Sequence, residues 1–242
     1  MNYKKASEKI ESWIKEKCKG FFGVVIGLSG GIDSTVSSML AVRALGKESV
    51  FGLIMPNKDI LSTNTVDAIY YATHHLGINM KVLDISHVTE PFIAGVPRFN
   101  QWRDKMTHGN IAARARMVYL YGFANAMNRL VLGTTNKTEV ELGYYTKWGD
   151  GAVDIEPIAD LYKCEVRGMA KYLGIPSVFI DKVPSAELWP GQTDEDEIGC
   201  TYDEMDRFLM GKWAKTETRD KIGKLREISE HKRVMPPHCE LR

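Results

Sequence analysis

Six consecutive residues carry the plainest chemistry in this chain: Ser29-Gly30-Gly31-Ile32-Asp33-Ser34. Adjacent glycines let a backbone approach a bulky anion closely. A helix opening directly after them would aim its unsatisfied N–H groups at that anion, and Ser29 and Ser34 add hydroxyls. Asp33 is the odd member, because a carboxylate repels phosphate oxygens unless a cation stands between them. Mg²⁺ held by Asp33 resolves the conflict. No Gly-Lys-Ser/Thr follows, so this is not the usual P-loop, and it is not Gly-x-Gly-x-x-Gly. A bare strand-to-helix turn with Asp33 or Ser34 as its cap is the plain alternative. Five specified residues between a buried strand and a helix start favour a polyphosphate site.

The elements that must position this loop alternate. An amphipathic helix carrying Ile10, Trp13 and Ile14 comes first. Phe21 to Leu28 is a short β-branched apolar run, which predicts a strand buried on both faces. Thr35 to Leu45 predicts a helix closed by Gly46. Ser49 to Met55 reads as the second strand, Ser62 to Leu76 as a helix closed by Gly77, and Ile78 to Ile85 as the third strand. A long helix from Asn110 to Asn128 leads into a fourth strand at Leu130 to Leu132. The pattern predicts an α/β fold: a doubly wound, mostly parallel sheet with helices on both faces. Ligands on such sheets bind beyond the carboxyl ends of the strands, where both the loop at Ser29 and Gly133-Thr134-Thr135-Asn136-Lys137-Thr138-Glu139 fall. Farther on, 143–151 and 185–199 read as long loops, the acidic run Asp194 to Glu197 as a solvated lid, and 202–213 and 216–231 as closing helices.

Composition narrows the class. The 242 residues hold 32 Lys+Arg against 31 Asp+Glu, a net charge of +1 that excludes a polycation coating nucleic acid or anionic membrane. Cys18, Cys164, Cys200 and Cys239 are too scattered for a zinc ribbon or a disulfide scaffold, which points to a reducing compartment. No apolar run approaches the length of a membrane span, and the first residues contain no apolar signal segment. A cytoplasmic protein with one domain over 1–242 is expected, without nucleic-acid or membrane partners.

The Ser29–Ser34 segment resembles the pyrophosphatase loop of the N-type ATP pyrophosphatases, which cleave ATP between its α and β phosphates and adenylate an acceptor. Four further segments narrow the resemblance: Gly109 to Met117 (GNIAARARM), Gly133 to Glu139 (GTTNKTE), Gly143 to Gly151 (GYYTKWGDG) and Pro184 to Glu195 (PSAELWPGQTDE). In this order they look like the NAD synthetase family, over about 21–231, and the last is the most specific. The resemblance implies an adenine nucleotide alpha-hydrolase-like fold and an ATP- and Mg²⁺-dependent ligase. Such an enzyme amidates deamido-NAD with ammonia through an acyl-adenylate, giving NAD, AMP and diphosphate in the last step of NAD biosynthesis. It also implies a homodimer. With no room for a glutaminase domain before Ser29, the ammonia-dependent form is expected.

Residue by residue, the resemblance implies that Gly27, Leu28, Ser29, Gly30, Gly31, Ile32, Asp33 and Ser34 hold the ATP phosphates. Thr134, Lys163 and Ser185 would contact ATP as well. Asp33 and Glu139 would hold Mg²⁺. Arg114, Lys147, Asp154, His231 and Lys232 would contact deamido-NAD. Asp33, Lys163 and Asp154 would serve the reaction itself, Asp154 by holding ammonium. Without the resemblance, Lys163 and Lys147 read as ordinary solvated lysines, Asp154 as a turn residue and Glu139 as a surface carboxylate. Tyr144 and Trp189 read as packing or hinge aromatics, and His74 and His75 as structural or exposed. Competing readings are a tRNA-thiolating or GMP-forming enzyme of the same loop class, and a nucleotide-binding regulatory module without activity. Scattered cysteines and near-neutral charge disfavour the tRNA enzymes. GMP synthetase lacks the 184–195 stretch, and an inactive module would be expected to have lost Asp33, Glu139 or Lys163.

Overall fold

The computed structural model describes residues 1–57, 62–185 and 191–239. Helix α1 (Tyr3–Lys17) precedes β1 (Val24–Gly27), α2 (Ile32–Leu45), β2 (Val50–Ile54), α3 (Thr63–Tyr70) and β3 (Asn79–Val82). Two helices, α4 (Ser86–Gly95) and α5 (Gln101–Met127), then lead to β4 (Leu130–Leu132). The chain continues through α6 (Lys137–Leu142), α7 (Lys163–Tyr172), α8 (Ser177–Ile180), α9 (Asp194–Ile198), α10 (Tyr202–Leu209), α11 (Thr216–Ile228) and α12 (Glu230–Arg233).

All four strands are parallel, in the order β3-β2-β1-β4. Successive side chains on a strand point to opposite faces, and the two cores follow that alternation. Val24, Ile26, Val50, Ile54 and Leu132 join Ile14 of α1, Val36 and Leu40 of α2 and Met169 of α7 on one face. Val25, Leu53 and Val131 join Ala112, Ala115 and Ala124 of α5 on the other. The doubly wound sheet expected from the strand–helix alternation is therefore present. The connection leaving β1 runs over one face and the one entering β4 over the other, so the crevice between the ends of these two strands is the switch point where such sheets bind ligands. A third cluster, Leu142, Ile198, Tyr202, Met205 and Ile222, packs α9, α10 and α11 against α6.

Element boundaries differ from the sequence reading in instructive places. Phe21 and Phe22 lie outside β1 and are solvent-exposed. Helix α3 ends in a π-helical turn, Tyr71–Leu76, before Gly77 closes it in the left-handed conformation. Helix α5 begins earlier than Asn110, because Asn100 caps it by accepting the Arg103 N–H at 3.0 Å. Helix α4 went unread because Pro91 lies inside it and proline ordinarily argues against a helix interior.

Candidate active site

The loop after β1 is braced from within. The Ser34 hydroxyl donates to the Gly31 carbonyl at 3.0 Å and accepts the Ser29 N–H at 3.3 Å, while the Ser29 hydroxyl accepts the Gly31 N–H at 3.2 Å. Ser34 is thus part of the loop's own scaffold. Gly30 has φ +77°, and a Cβ there would lie 2.5 Å from the Asn64 carbonyl oxygen, so both the backbone conformation and the space call for glycine. From the other side, the Lys182 ammonium donates to the Gly30 carbonyl at 3.3 Å and pairs with Asp67 of α3 at 2.8 Å. Helix α2 opens at Gly31 with no side-chain cap, which leaves its N-terminus in the state that suits an anion.

Asp33 stands in the first turn of α2 and faces the loop that follows β4. Its Oδ1 accepts from Asn136 Nδ2 at 3.0 Å and its Oδ2 from Lys163 Nζ at 2.6 Å. Asn136 is fully buried and caps α6. Its Oδ1 accepts the Glu139 N–H, and Glu139 Oε2 accepts the Asn136 N–H, both at 3.1 Å, which forms a capping box. The box turns the other oxygen of Glu139 toward Lys163 Nζ at 3.5 Å. Two carboxylates from elements far apart in sequence therefore converge on one buried ammonium. Burial, then the nearby Asp33 charge, pushes Glu139 up to about 8, against the pull of Lys163. Burial alone would lower the Lys163 pKa, but Asp33 and Glu139 outweigh it and hold it above its ordinary value.

These residues fit Mg²⁺. The ion asks a protein for one or two carboxylates and completes its octahedron with water and phosphate oxygens. Asp33 and Glu139 supply two, converging from α2 and α6 on the single ammonium of Lys163. Among the described residues no group of three or more His, Cys, Asp or Glu side chains is arranged to hold a metal unaided.

Other expected contacts form a second group around the glycine-punctuated loop at 143–151. Arg114, exposed on α5, donates to the Lys147 carbonyl at 3.1 Å. Lys147 Nζ donates to the His231 carbonyl, and Lys232 Nζ donates to the carbonyls of Gly143 and Tyr145 at 2.6 Å each. Arg114, Lys147 and His231 are thus brought together, while Lys232 clamps the loop. Arg116, two residues from Arg114, donates instead to the Met55 carbonyl at 3.0 Å. Asp154 bonds to neither group: Oδ2 accepts the Val131 N–H at 2.8 Å and Oδ1 the Tyr121 hydroxyl at 3.2 Å. Thr134 sits on the loop leading to Asn136. Ser185 follows Pro184, whose carbonyl accepts the Asp194 N–H at 3.1 Å. Residues 186–190 of the 184–195 signature, Trp189 among them, lie outside the described residues.

Three readings change. Glu139 is no surface carboxylate, its side chain being 16% exposed and turned toward Lys163. Lys163 is no solvated lysine but one of the most buried side chains, 2% exposed. The acidic run beginning at Asp194 is not simply a solvated lid. Asp194 is buried and accepts from Tyr202 at 2.9 Å and from Tyr144 at 3.4 Å, and Glu197 accepts from Tyr144 at 2.8 Å and Gln192 at 2.7 Å. Tyr144 is accordingly a packing aromatic. His74 and His75 are exposed and stack on Tyr70 and Tyr71.

Sequence reasoning missed Asn136, although Asn-x-x-Glu before a helix is the written form of a capping box. It also missed Glu156. That carboxylate is largely buried, accepts the Thr135 N–H at 3.2 Å, and crowds Gly133 so closely that a Cβ there would lie 2.3 Å from its carboxyl carbon. Burial pushes Glu156 up to about 8, with the Thr135 bonds working the other way and Asp150 adding to the rise. Nothing in the run Asp154-Ile155-Glu156-Pro157 signals burial.

The NAD synthase family model matches residues 5–236. An NH(3)-dependent NAD(+) synthetase from Archaeoglobus fulgidus is 43% identical over all of this chain and 99% of its own length. Among solved structures, an NMN synthetase from Francisella tularensis is 40% identical and superposes with a TM-score of 0.92, covering all of both chains. An NH3-dependent NAD synthetase from Campylobacter jejuni is 35% identical with a TM-score of 0.82, over 99% of this chain and all of its own.

Proposed function

The chain belongs to the NAD synthase family, and from that premise we propose that it uses ATP to amidate the nicotinate carboxylate of deamido-NAD with ammonia. The observation that carries this reading is the convergence of Asp33, Glu139 and Lys163 at the mouth of an uncapped helix that follows a glycine loop. Relatives of matching length with that activity support it.

The chemistry follows from the acceptor. A carboxylate resists attack because its charge repels nucleophiles and oxide leaves poorly. Joining it to the α-phosphate of ATP makes AMP the leaving group and releases diphosphate. The loop from Gly27 to Ser34 would grip the phosphates with backbone N–H groups. Mg²⁺ held by Asp33 and Glu139 would neutralise the charge that gathers on the departing diphosphate. Lys163 supplies fixed positive charge at the same place, without reorganisation, and Thr134 and Ser185 would complete the ATP contacts. Arg114, with its planar fork, would join Lys147, His231 and Lys232 on the dinucleotide. Asp154 is proposed to hold the ammonium. Asp154→Asn that left the ammonium dependence of the rate unaltered would remove it from that role. One domain over 1–242, free ammonia as the nitrogen source, a homodimer and a cytoplasmic setting belong to the same proposal. Unpaired Cys18, Cys164 and Cys200 support the last; among the described residues, no helix is long and apolar enough to cross a membrane.

One observation favours a second acceptor: the Francisella tularensis protein of TM-score 0.92 is an NMN synthetase, so the mononucleotide is the alternative carboxylate. The test combines purified protein, ATP, Mg²⁺ and ammonium or glutamine with either deamido-NAD or nicotinate mononucleotide, omitting each component in turn. Equal yields of NAD, AMP and diphosphate, requiring ammonium and the dinucleotide, are expected. NMN formed in preference would move the acceptor assignment. AMP and diphosphate without either product would point to another acceptor, and no ATP cleavage would sink the enzymatic reading.

A further inference from the structure

Lys163 owes its place to a helix that carries none of the residues assigned above. It is the first residue of α7, and the side chain of the preceding Tyr162 makes no capping bond, so the first N–H groups of that helix need partners from elsewhere. They find them in two steps. The Lys163 N–H donates to the Thr138 hydroxyl at 3.0 Å, and that hydroxyl donates to Asp206 Oδ1 at 2.5 Å. The Cys164 N–H donates directly to Asp206 Oδ2 at 2.7 Å. Asp206 belongs to α10 and is 2% exposed. A carboxylate at a helix N-terminus also suits the helix dipole.

The side chain is held by the same helix. Tyr202, the first residue of α10, is fully buried, and its ring lies 4.8 Å from Lys163 Nζ. A desolvated ammonium over an aromatic face is attracted to it. The ring is held in place because its hydroxyl donates to the buried Asp194 at 2.9 Å, and the backbone N–H of Tyr202 donates to the Glu195 carboxylate at 2.8 Å. Backbone and ammonium of Lys163 are therefore gripped from two adjacent turns of α10.

We infer that Tyr202 and Asp206 are the positioning residues of Lys163: Asp206 sets where the lysine leaves the backbone, and Tyr202 sets where its ammonium stops. The inference rests on the reading that Lys163 acts on the phosphates of ATP, and the experiment separates the two. Tyr202→Leu removes the aromatic face, Tyr202→Phe keeps it, and Asp206→Asn keeps the shape but loses one acceptor. Each is measured alone and with Lys163→Met, reading kcat for diphosphate release and the ATP Kd by calorimetry, with far-UV circular dichroism as the folding check.

Tyr202→Leu should lower kcat about 10- to 30-fold and weaken ATP several-fold, and Tyr202→Phe should recover most of both. In the Lys163→Met background the further loss from Tyr202→Leu or Asp206→Asn should vanish, because residues that act through one group are not additive. The same fold-loss in both backgrounds would overturn the inference while leaving the role of Lys163 intact. Normal activity of Lys163→Met itself would overturn the underlying reading. Should Tyr202→Leu not fold, the isosteric Asp206→Asn cycle decides by the same criterion.

Discussion

Replacing Glu156 by Gln should make the protein more stable in alkaline solution, by an amount that grows with pH. Glu156 is largely buried and, among the described residues, takes its hydrogen bonds from Thr135 and feels the charge of Asp150. Its pKa rises from 4.5 to about 8 on folding. The sign follows directly. Between these two values the unfolded chain has shed a proton that the folded protein keeps, so stability falls as pH rises. At about 1.4 kcal/mol per pKa unit the ceiling on the loss is about 5 kcal/mol, and the slope is at most about 1.4 kcal/mol per pH unit. Glutamine fills the same space, still accepts the Thr135 N–H, and cannot ionise. Urea unfolding of both proteins at several pH values between 4.5 and 8.5 gives the difference, in which every other titrating group cancels. The two stabilities should be similar near pH 4.5 and diverge by a few kcal/mol in favour of Gln near pH 8.5. Parallel curves would refute the reasoning, since Glu156 would then be solvated or paired with a cation.

Three further outcomes are expected. Asn136→Ala leaves Asp33 Oδ1 and the Glu139 N–H without their partner; urea unfolding should show a loss of about 2–3 kcal/mol, and half-maximal activity should need about ten times more Mg²⁺. Gly30→Ala forces a Cβ to within 2.5 Å of the Asn64 carbonyl at a positive φ; a rise of tenfold or more in the ATP KM and a stability loss of about 1–3 kcal/mol are expected, and an unchanged KM would show that the loop does not meet the phosphates. Arg114→Ala, at an exposed position, should raise the KM for the dinucleotide about 10- to 100-fold with the ATP KM within about twofold; equal effects on both substrates would move Arg114 out of the acceptor group.

The legible parts of the molecule were those written locally. Strand–helix alternation and the β-branched runs at Val24 and Val50 announce a parallel sheet, and Gly46 and Gly77 end their helices where glycine should. The loop from Ser29 to Ser34 declares itself because glycines, hydroxyls and a carboxylate in that setting have few other uses. What stayed hidden was burial decided at long range. Lys163 and Asp194 carry charges that ordinarily face water, yet both are enclosed, because Tyr202 of α10 closes on each of them. Glu156 gives no local hint of its environment either. Its burial is created by a bridge between Leu132 and Ile155 that lays its segment beside β4.

The bonds that assemble the phosphate-facing cluster join distant parts of the chain. Asn136 reaches back 103 residues to Asp33, Lys163 reaches back 130, and Asp206 closes on Thr138 across 68. Closing loops of that length must precede any stabilisation from the contacts they allow. The cluster is therefore complete only when nearly the whole chain has found its place, whereas the packing of α1 on α2 joins segments within the first 45 residues. During refolding, helical signal should return first and ATP cleavage last, which makes the reaction a late reporter of the finished fold.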